Sequence, residues 1–275
     1  MTLSLNRTLG RALIILGLTL PASLAAQSPA RAESRNDEML AFENFALIFG
    51  SRLVAAFDSI PGSRYHYRPT PPQQTIGYIA QHLEDANYGL CERLGDLKRV
   101  RTAKDSLPDT VKARWPKDTL VVRLRASLRF CDTALARLES VESSARASTL
   151  LAFETDLAEH YSQIAVYMRL LGMVPPSALA PKRRTAIELA GSALSPYVGV
   201  YQLARGLQFE VSMRDGALFI TPPNGGAVRL WPETSKDFFV REVDAQITFT
   251  RDASGRVSGF VLHQYDHDRP ATKVR

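Results

Sequence analysis

The chain is predicted to be a two-part α plus β protein, an N-terminal four-helix bundle followed by a small antiparallel β sandwich or barrel. Three observations predict this. Apolar residues recur at helical spacing in four stretches between Asp37 and Gly172. After Pro196 the period drops to two, and turn signals cut the pattern every few residues. Between the two regimes lie Pro175-Pro176 and Pro181-Lys-Arg-Arg184, a helix stop followed by a basic run.

The first residues read as an export signal. Arg7 and Arg11 form a basic head, Ala12 to Leu24 is apolar but too short to span a bilayer, and small residues follow. The signal is placed at 1–26, the bundle at 37–178, a linker at 179–192 and the β domain at 193–275. No transmembrane segment is expected once the signal is removed. The expected location is periplasmic or extracellular.

The first helix is expected over Asp37 to Phe57, with Leu40, Phe49 and Leu53 among its stripe, and Pro61-Gly62 ends it. Thr75 is the N-cap of the second, whose stripe holds Ile79, His82, Leu83, Leu90 and Leu97. A polar loop from Lys98 to Lys117 separates it from the third, which carries Leu124, Leu128, Cys131 and Leu135. The fourth carries Phe153, Leu157, His160, Ile164 and Met168, and Gly172 stops it. Each helix has one stripe to bury, so the four pack as a bundle. Seven strands are expected beyond it: 199–203, 208–213, 217–221, 227–230, 237–240, 246–251 and 257–264. Asp215-Gly216 marks a tight hairpin.

Composition removes several classes. The formal charge of +6 falls to +4 without Arg7 and Arg11, and the basic runs at Lys98–Arg101 and Lys182–Arg184 lie between periodic segments. They read as solvated loops, and no nucleic-acid partner is expected. Two cysteines exclude a disulfide scaffold but permit one bridge in an oxidising compartment. Cys91 and Cys131 fall at interior helix positions, so they are either two small buried hydrophobes or an interhelical disulfide.

The chemistry-bearing residues are His82, Asp156 and His160. Asp156 and His160 are four apart and project from one helical face. Imidazole and carboxylate both reach a metal at about 2.0 to 2.2 Å, and His82 on a facing helix completes three ligands. Two histidines and a carboxylate suit zinc, nickel or iron. The competing reading is a pair of core histidines that share Asp156 as acceptor. His263 and His267 also stand four apart, but along a strand that spacing separates them by roughly 13 Å. No residue is assigned a catalytic role from the sequence.

Residues 37–178 resemble the DinB superfamily of DinB/YfiT-like metalloenzymes. The resemblance rests on Tyr65-x-Tyr67-x-Pro-Thr-Pro71, on Gln81-His-Leu-Glu-Asp-Ala-Asn-Tyr88 with Cys91, and on Glu159 through Pro176. It implies a four-helix bundle with a divalent metal on three histidines. His82 and His160 match two of them, and Asp156 stands where the family has the third. It implies a small-molecule substrate and a metal-dependent transferase or hydrolase. The alternative is a non-catalytic ligand- or envelope-binding protein with a degenerate metal site. Residues 193–275 look like a β domain of unknown function appended to exported serine β-lactamase-like proteins, on Tyr197-Val-Gly-Val-Tyr201, Asp244 to Phe249 and Gly259 to Gln264. No Ser-x-x-Lys accompanies it, so that chemistry does not come with it.

Overall fold

A computed structural model describes residues 29–180, 182–203, 207–223, 225–265 and 267–275, with side chains from Glu38 onward. The signal sequence expected at 1–26 lies outside the described residues. The N-terminal half is helical: α1 (Pro29–Ser59), α2 (Ile76–Gly95), the short α3 (Asp109–Lys112), α4 (Lys117–Ala136) and α5 (Ser144–Leu170). The four long helices close a ring in which α2 lies between α4 and α5, and α1 also touches both. Their apolar stripes make one core, with Leu53 and Phe57 from α1, Ile79 and Leu83 from α2, Leu124 from α4, and Phe153, Leu157 and Ile164 from α5. Glu38–Ser59 is long and apolar enough to cross a membrane, yet its Met39, Leu53 and Phe57 are buried.

Local chemistry sets the helix ends. The Thr75 hydroxyl accepts from the Tyr78 amide at 3.2 Å and caps α2. That helix ends earlier than its stripe suggested, at Gly95, because Asp96 turns left-handed with φ 48° and takes Leu97 off the helix. Gly95 itself is required by packing, since a Cβ there would lie 2.6 Å from the Ala134 Cα of α4. After α5, Met173 N–H donates to the Met168 carbonyl at 2.8 Å and Gly172 N–H to Arg169 at 3.0 Å, a glycine-terminated stop.

The stretch from Lys98 to Lys117 is not a solvated loop throughout. It holds a 3₁₀ turn (Ala103–Ser106) and α3, and its Asp105 and Lys112 are buried. Arg99 pairs with Asp85 at 3.0 Å and lies 5.0 Å from the Tyr88 ring centroid. Lys112 pairs with Asp85 and, at 3.0 Å, with Asp109. The basic run is thus partly drawn onto α2 by acidic partners that its own composition does not reveal.

The C-terminal half is a closed antiparallel barrel of eight strands: β1 (Gly199–Gln202), β2 (Gln208–Arg214), β3 (Ala217–Thr221), β4 (Val228–Pro232), β5 (Asp237–Val240), β6 (Ala245–Arg251), β7 (Val257–Gln264) and β8 (His267–Lys273). Each strand pairs with the next, and β8 returns to β1 through Tyr201↔Lys273 and Gln202↔Thr272. The choice between sandwich and barrel is settled by β8, the strand that the sequence pattern misses. Asp215 (φ 49°) and Gly216 (φ 72°) make the expected β2–β3 hairpin, two successive left-handed residues. An aromatic cluster of Tyr197, Tyr201, Phe238, Phe249 and Phe260 fills the interior. The segment expected as a linker runs along the barrel. Arg184 pairs with Glu233 at 2.8 Å, and Ile187 N–H donates to the Pro232 carbonyl at 2.9 Å. The β7–β8 turn meets α1, where the Ser51 hydroxyl donates to the Tyr265 carbonyl at 2.6 Å.

Candidate metal centre

The packing of α5 against α2 brings the three candidate ligands together. One potential donor atom from each of His82, Asp156 and His160 lies within 4.8 Å of the others. The Asp156 Oδ1 is 3.4 Å from His82 Nε2 and 3.4 Å from His160 Nε2. The imidazole rings stand edge to face, with centroids 4.8 Å apart. The side chains are 38, 21 and 12 % exposed for His82, Asp156 and His160, so the site opens to solvent on the α2 side. Among the described residues, no other group of three or more His, Cys, Asp or Glu side chains meets in this way.

Charge is arranged around the carboxylate. Burial works against ionisation of Asp156, but hydrogen bonds from His160 and His82 outweigh it and hold its pKa down at about 2. Burial also works against charge on His160, and the hydrogen bonds to Asp156 and Gln163 overcome it, so the imidazole pKa is raised. The second oxygen, Asp156 Oδ2, is buried with no hydrogen-bond partner. Orphaned buried carboxylate oxygens are costly, so this atom calls for a cation or a donor.

A chain of hydrogen bonds fixes the His160 tautomer. The Tyr167 hydroxyl donates to the Gln74 carbonyl at 3.2 Å, so its oxygen accepts from Gln163 Nε2 at 3.1 Å. Gln163 therefore turns Oε1 toward His160 Nδ1, 3.0 Å away, and Nδ1 carries the proton. In neutral His160 the Nε2 lone pair then faces the Asp156 carboxylate. Two acceptors confront one another unless a positive charge sits between them. Gln163 and Tyr167 stand three and seven residues after His160, on its helical face. That spacing was available in the sequence, but the role of these residues as orienters was missed.

Other polar residues nearby do not join the cluster. Glu159 is exposed, and Arg169 donates to the Ala165 carbonyl at 3.3 Å. Tyr161 is buried and its hydroxyl accepts from Ser177 N–H at 2.8 Å. His66 is exposed in the loop after α1. His263 and His267 flank the β7–β8 turn without being cross-strand partners, since His263 stands opposite Asp268 and His267 opposite Gln264, and His263 is taken by Asp268 at 2.6 Å and Thr248 at 3.0 Å. Cys91 and Cys131 form a disulfide that joins α2 to α4, with Cα atoms 5.1 Å apart.

A family model described as a domain of unknown function, DUF3471, matches residues 183–273. The match covers the barrel together with the segment that lies along it, and it agrees with the resemblance of the C-terminal half to a β domain of unknown function. No curated protein matches the chain.

Proposed function

We propose that the helical half is a DinB-like bundle that holds one divalent metal on His82, Asp156 and His160. The observation that carries this reading is the pair of 3.4 Å separations between Asp156 Oδ1 and the two Nε2 atoms. Ligands bound at about 2.1 Å around a tetrahedral ion lie about 3.4 Å apart, so both edges match a zinc-like site, and the three donor atoms together lie within 4.8 Å of one another. The orphaned Asp156 Oδ2 and the His160 Nε2 lone pair turned toward the carboxylate support the same reading. Gln163 would orient His160 in the way that partners beyond the ligands orient metal-bound imidazoles.

Three protein ligands leave a position open, and a metal there would polarise a substrate group or lower the pKa of a bound water. The reading is therefore a metal-dependent transferase or hydrolase acting on a small molecule, in the periplasm or outside the cell. The chain's own contribution is to hold His82 and His160 against one carboxylate and to leave the His82 side of the site open.

The test is the metal content of protein purified without chelator. One divalent ion per chain is expected, and His160→Ala should remove most of it. Full metal retention after simultaneous replacement of His82, Asp156 and His160 would refute the site. A metal-free wild type that binds none on titration would leave the alternative, two histidines that share Asp156 as acceptor in a non-catalytic binding protein.

A further inference from the structure

A second feature of the bundle is unrelated to the histidines. On the other side of α5, a groove of about 530 Å³ runs between α5 and α1. Ala41, Phe42 and Phe45 of α1 and Leu151 and Ala158 of α5 supply apolar walls, and Glu154 belongs to the lining. The volume is within the range of small-molecule sites, which are apolar clefts with a few polar groups that fix orientation. Phe45 and Leu151 are exposed along it, an unusual outlay of large apolar surface on one strip.

Glu154 is the anomalous member. It is 6 % exposed, and both carboxyl oxygens are buried without a hydrogen-bond partner. Core packing does not explain an acid here, since glutamate is almost never buried without a partner. The described lining residues include a second acid, Glu159, and no Lys, Arg or His. Burial raises the Glu154 pKa to about 8, so the groove joins an apolar trough to a buried, unpaired and largely protonated carboxyl, which an ammonium partner would ionise.

We propose that this groove binds an amphiphilic cation, an apolar chain or ring that bears one amine, with the ammonium donating to Glu154. The apolar body covers Phe42, Phe45 and Leu151, and a change of rotamer brings the Glu154 carboxyl to the ammonium. The polarity of the site selects the headgroup and the trough selects the tail. The site is separate from the His82–Asp156–His160 cluster and does not depend on the metal reading.

Dodecylamine and dodecanoate below their micelle concentrations, and dodecanol below its solubility limit, are suitable probes by titration calorimetry on the purified protein. The amine is expected to bind about tenfold or more tighter than the alcohol, the increment of one charge-assisted hydrogen bond, and the carboxylate weakest. Glu154→Gln should reduce the amine to the level of the alcohol while leaving alcohol binding in place. Ala41→Trp, at an exposed position that fills the trough, should abolish binding of all three, and His160→Ala should change none of them. Equal affinity for amine and alcohol, an amine preference that survives Glu154→Gln, or binding unaffected by Ala41→Trp would each overturn the proposal.

Discussion

Replacing Arg123 with Met should destabilise the bundle by about 3 to 5 kcal/mol at neutral pH, the cost of stranding buried charges whose partner has been removed. The estimate follows from what Arg123 touches. Its Nε and Nη2 donate to the two oxygens of Glu84 at 2.7 and 2.5 Å, Nη2 also pairs with Asp105, and the guanidinium lies 4.8 Å from the Trp115 ring centroid. Glu84 and Asp105 are both buried, so water cannot replace the lost donor. The pH dependence is the sharper signature. Burial raises the Glu84 pKa even with Arg123 in place, whereas for Asp105 the hydrogen bonds from Thr102 and Arg123 overcome burial and push the pKa well below the ordinary carboxylate range. A depressed carboxylate adds stability above its unfolded pKa and loses it as the pH falls toward the folded one, so in the wild type the Asp105 contribution fades in acid. Without Arg123 the already raised Glu84 pKa rises further, while the two Thr102 hydrogen bonds go on holding Asp105 down, so the folded variant takes up a proton on Glu84 as the pH drops from neutral. The penalty should therefore shrink between about pH 7.5 and pH 5, measured by urea unfolding at constant m-value. Adding Glu84→Gln and Asp105→Asn should recover most of the loss. A penalty under about 1 kcal/mol at neutral pH, or one equal at both pH values, would refute the reasoning, since it would mean that the network is solvated.

Reduction of the Cys91–Cys131 bridge, whose partners are 40 residues apart, should cost about 4 kcal/mol on the chain-entropy model, seen as a lower urea midpoint with reductant. Thiol titration of the denatured, unreduced protein should find almost no free thiol. Removing residues 265–275 deletes β8 and leaves β1 and β7 each with one unpaired edge, so the truncated chain should lose its β-type circular dichroism or aggregate through the opened edges. Trypsin should cut first at Lys182 or Arg183 rather than at Arg184, whose side chain is held by Glu233 at 2.8 Å. Release of a helical and a β fragment is the expected outcome, and mass spectrometry of the early products reads it.

The four long helices were legible because each buries a single stripe, and burial of one stripe writes a period of 3.6 into the residues themselves. Asp156 and His160 were legible as a pair for the same local reason. The Thr75 cap, the Gly172 stop and the Asp215-Gly216 hairpin were equally readable, since each depends on the conformational preference of one or two residues. The last strand was not legible. His267-Asp-Arg-Pro-Ala-Thr-Lys273 buries only Ala271 among its described side chains and contains Pro270, so neither alternation nor strand propensity marks it. It is a strand because the β7 and β1 edges on either side offer it partners. Nor did the sequence show that Asp85 and Glu84 would draw Arg99, Lys112 and Arg123 out of water, because those pairings join segments 14 to 39 residues apart.

Taken alone, the sequence determined which segments are helical, where the chain changes class, and which two residues of α5 share a face, because these are consequences of short-range periodicity and backbone preference. Tertiary structure decided the rest. The α2–α5 contact sets His82 beside Asp156, the α2–α4 contact bridges the cysteines, and the pairing of β8 with β1 turns an open sheet into a barrel. Each is an encounter between surfaces distant in the chain, chosen by the shape and charge of the whole packed molecule rather than by the residues on either side.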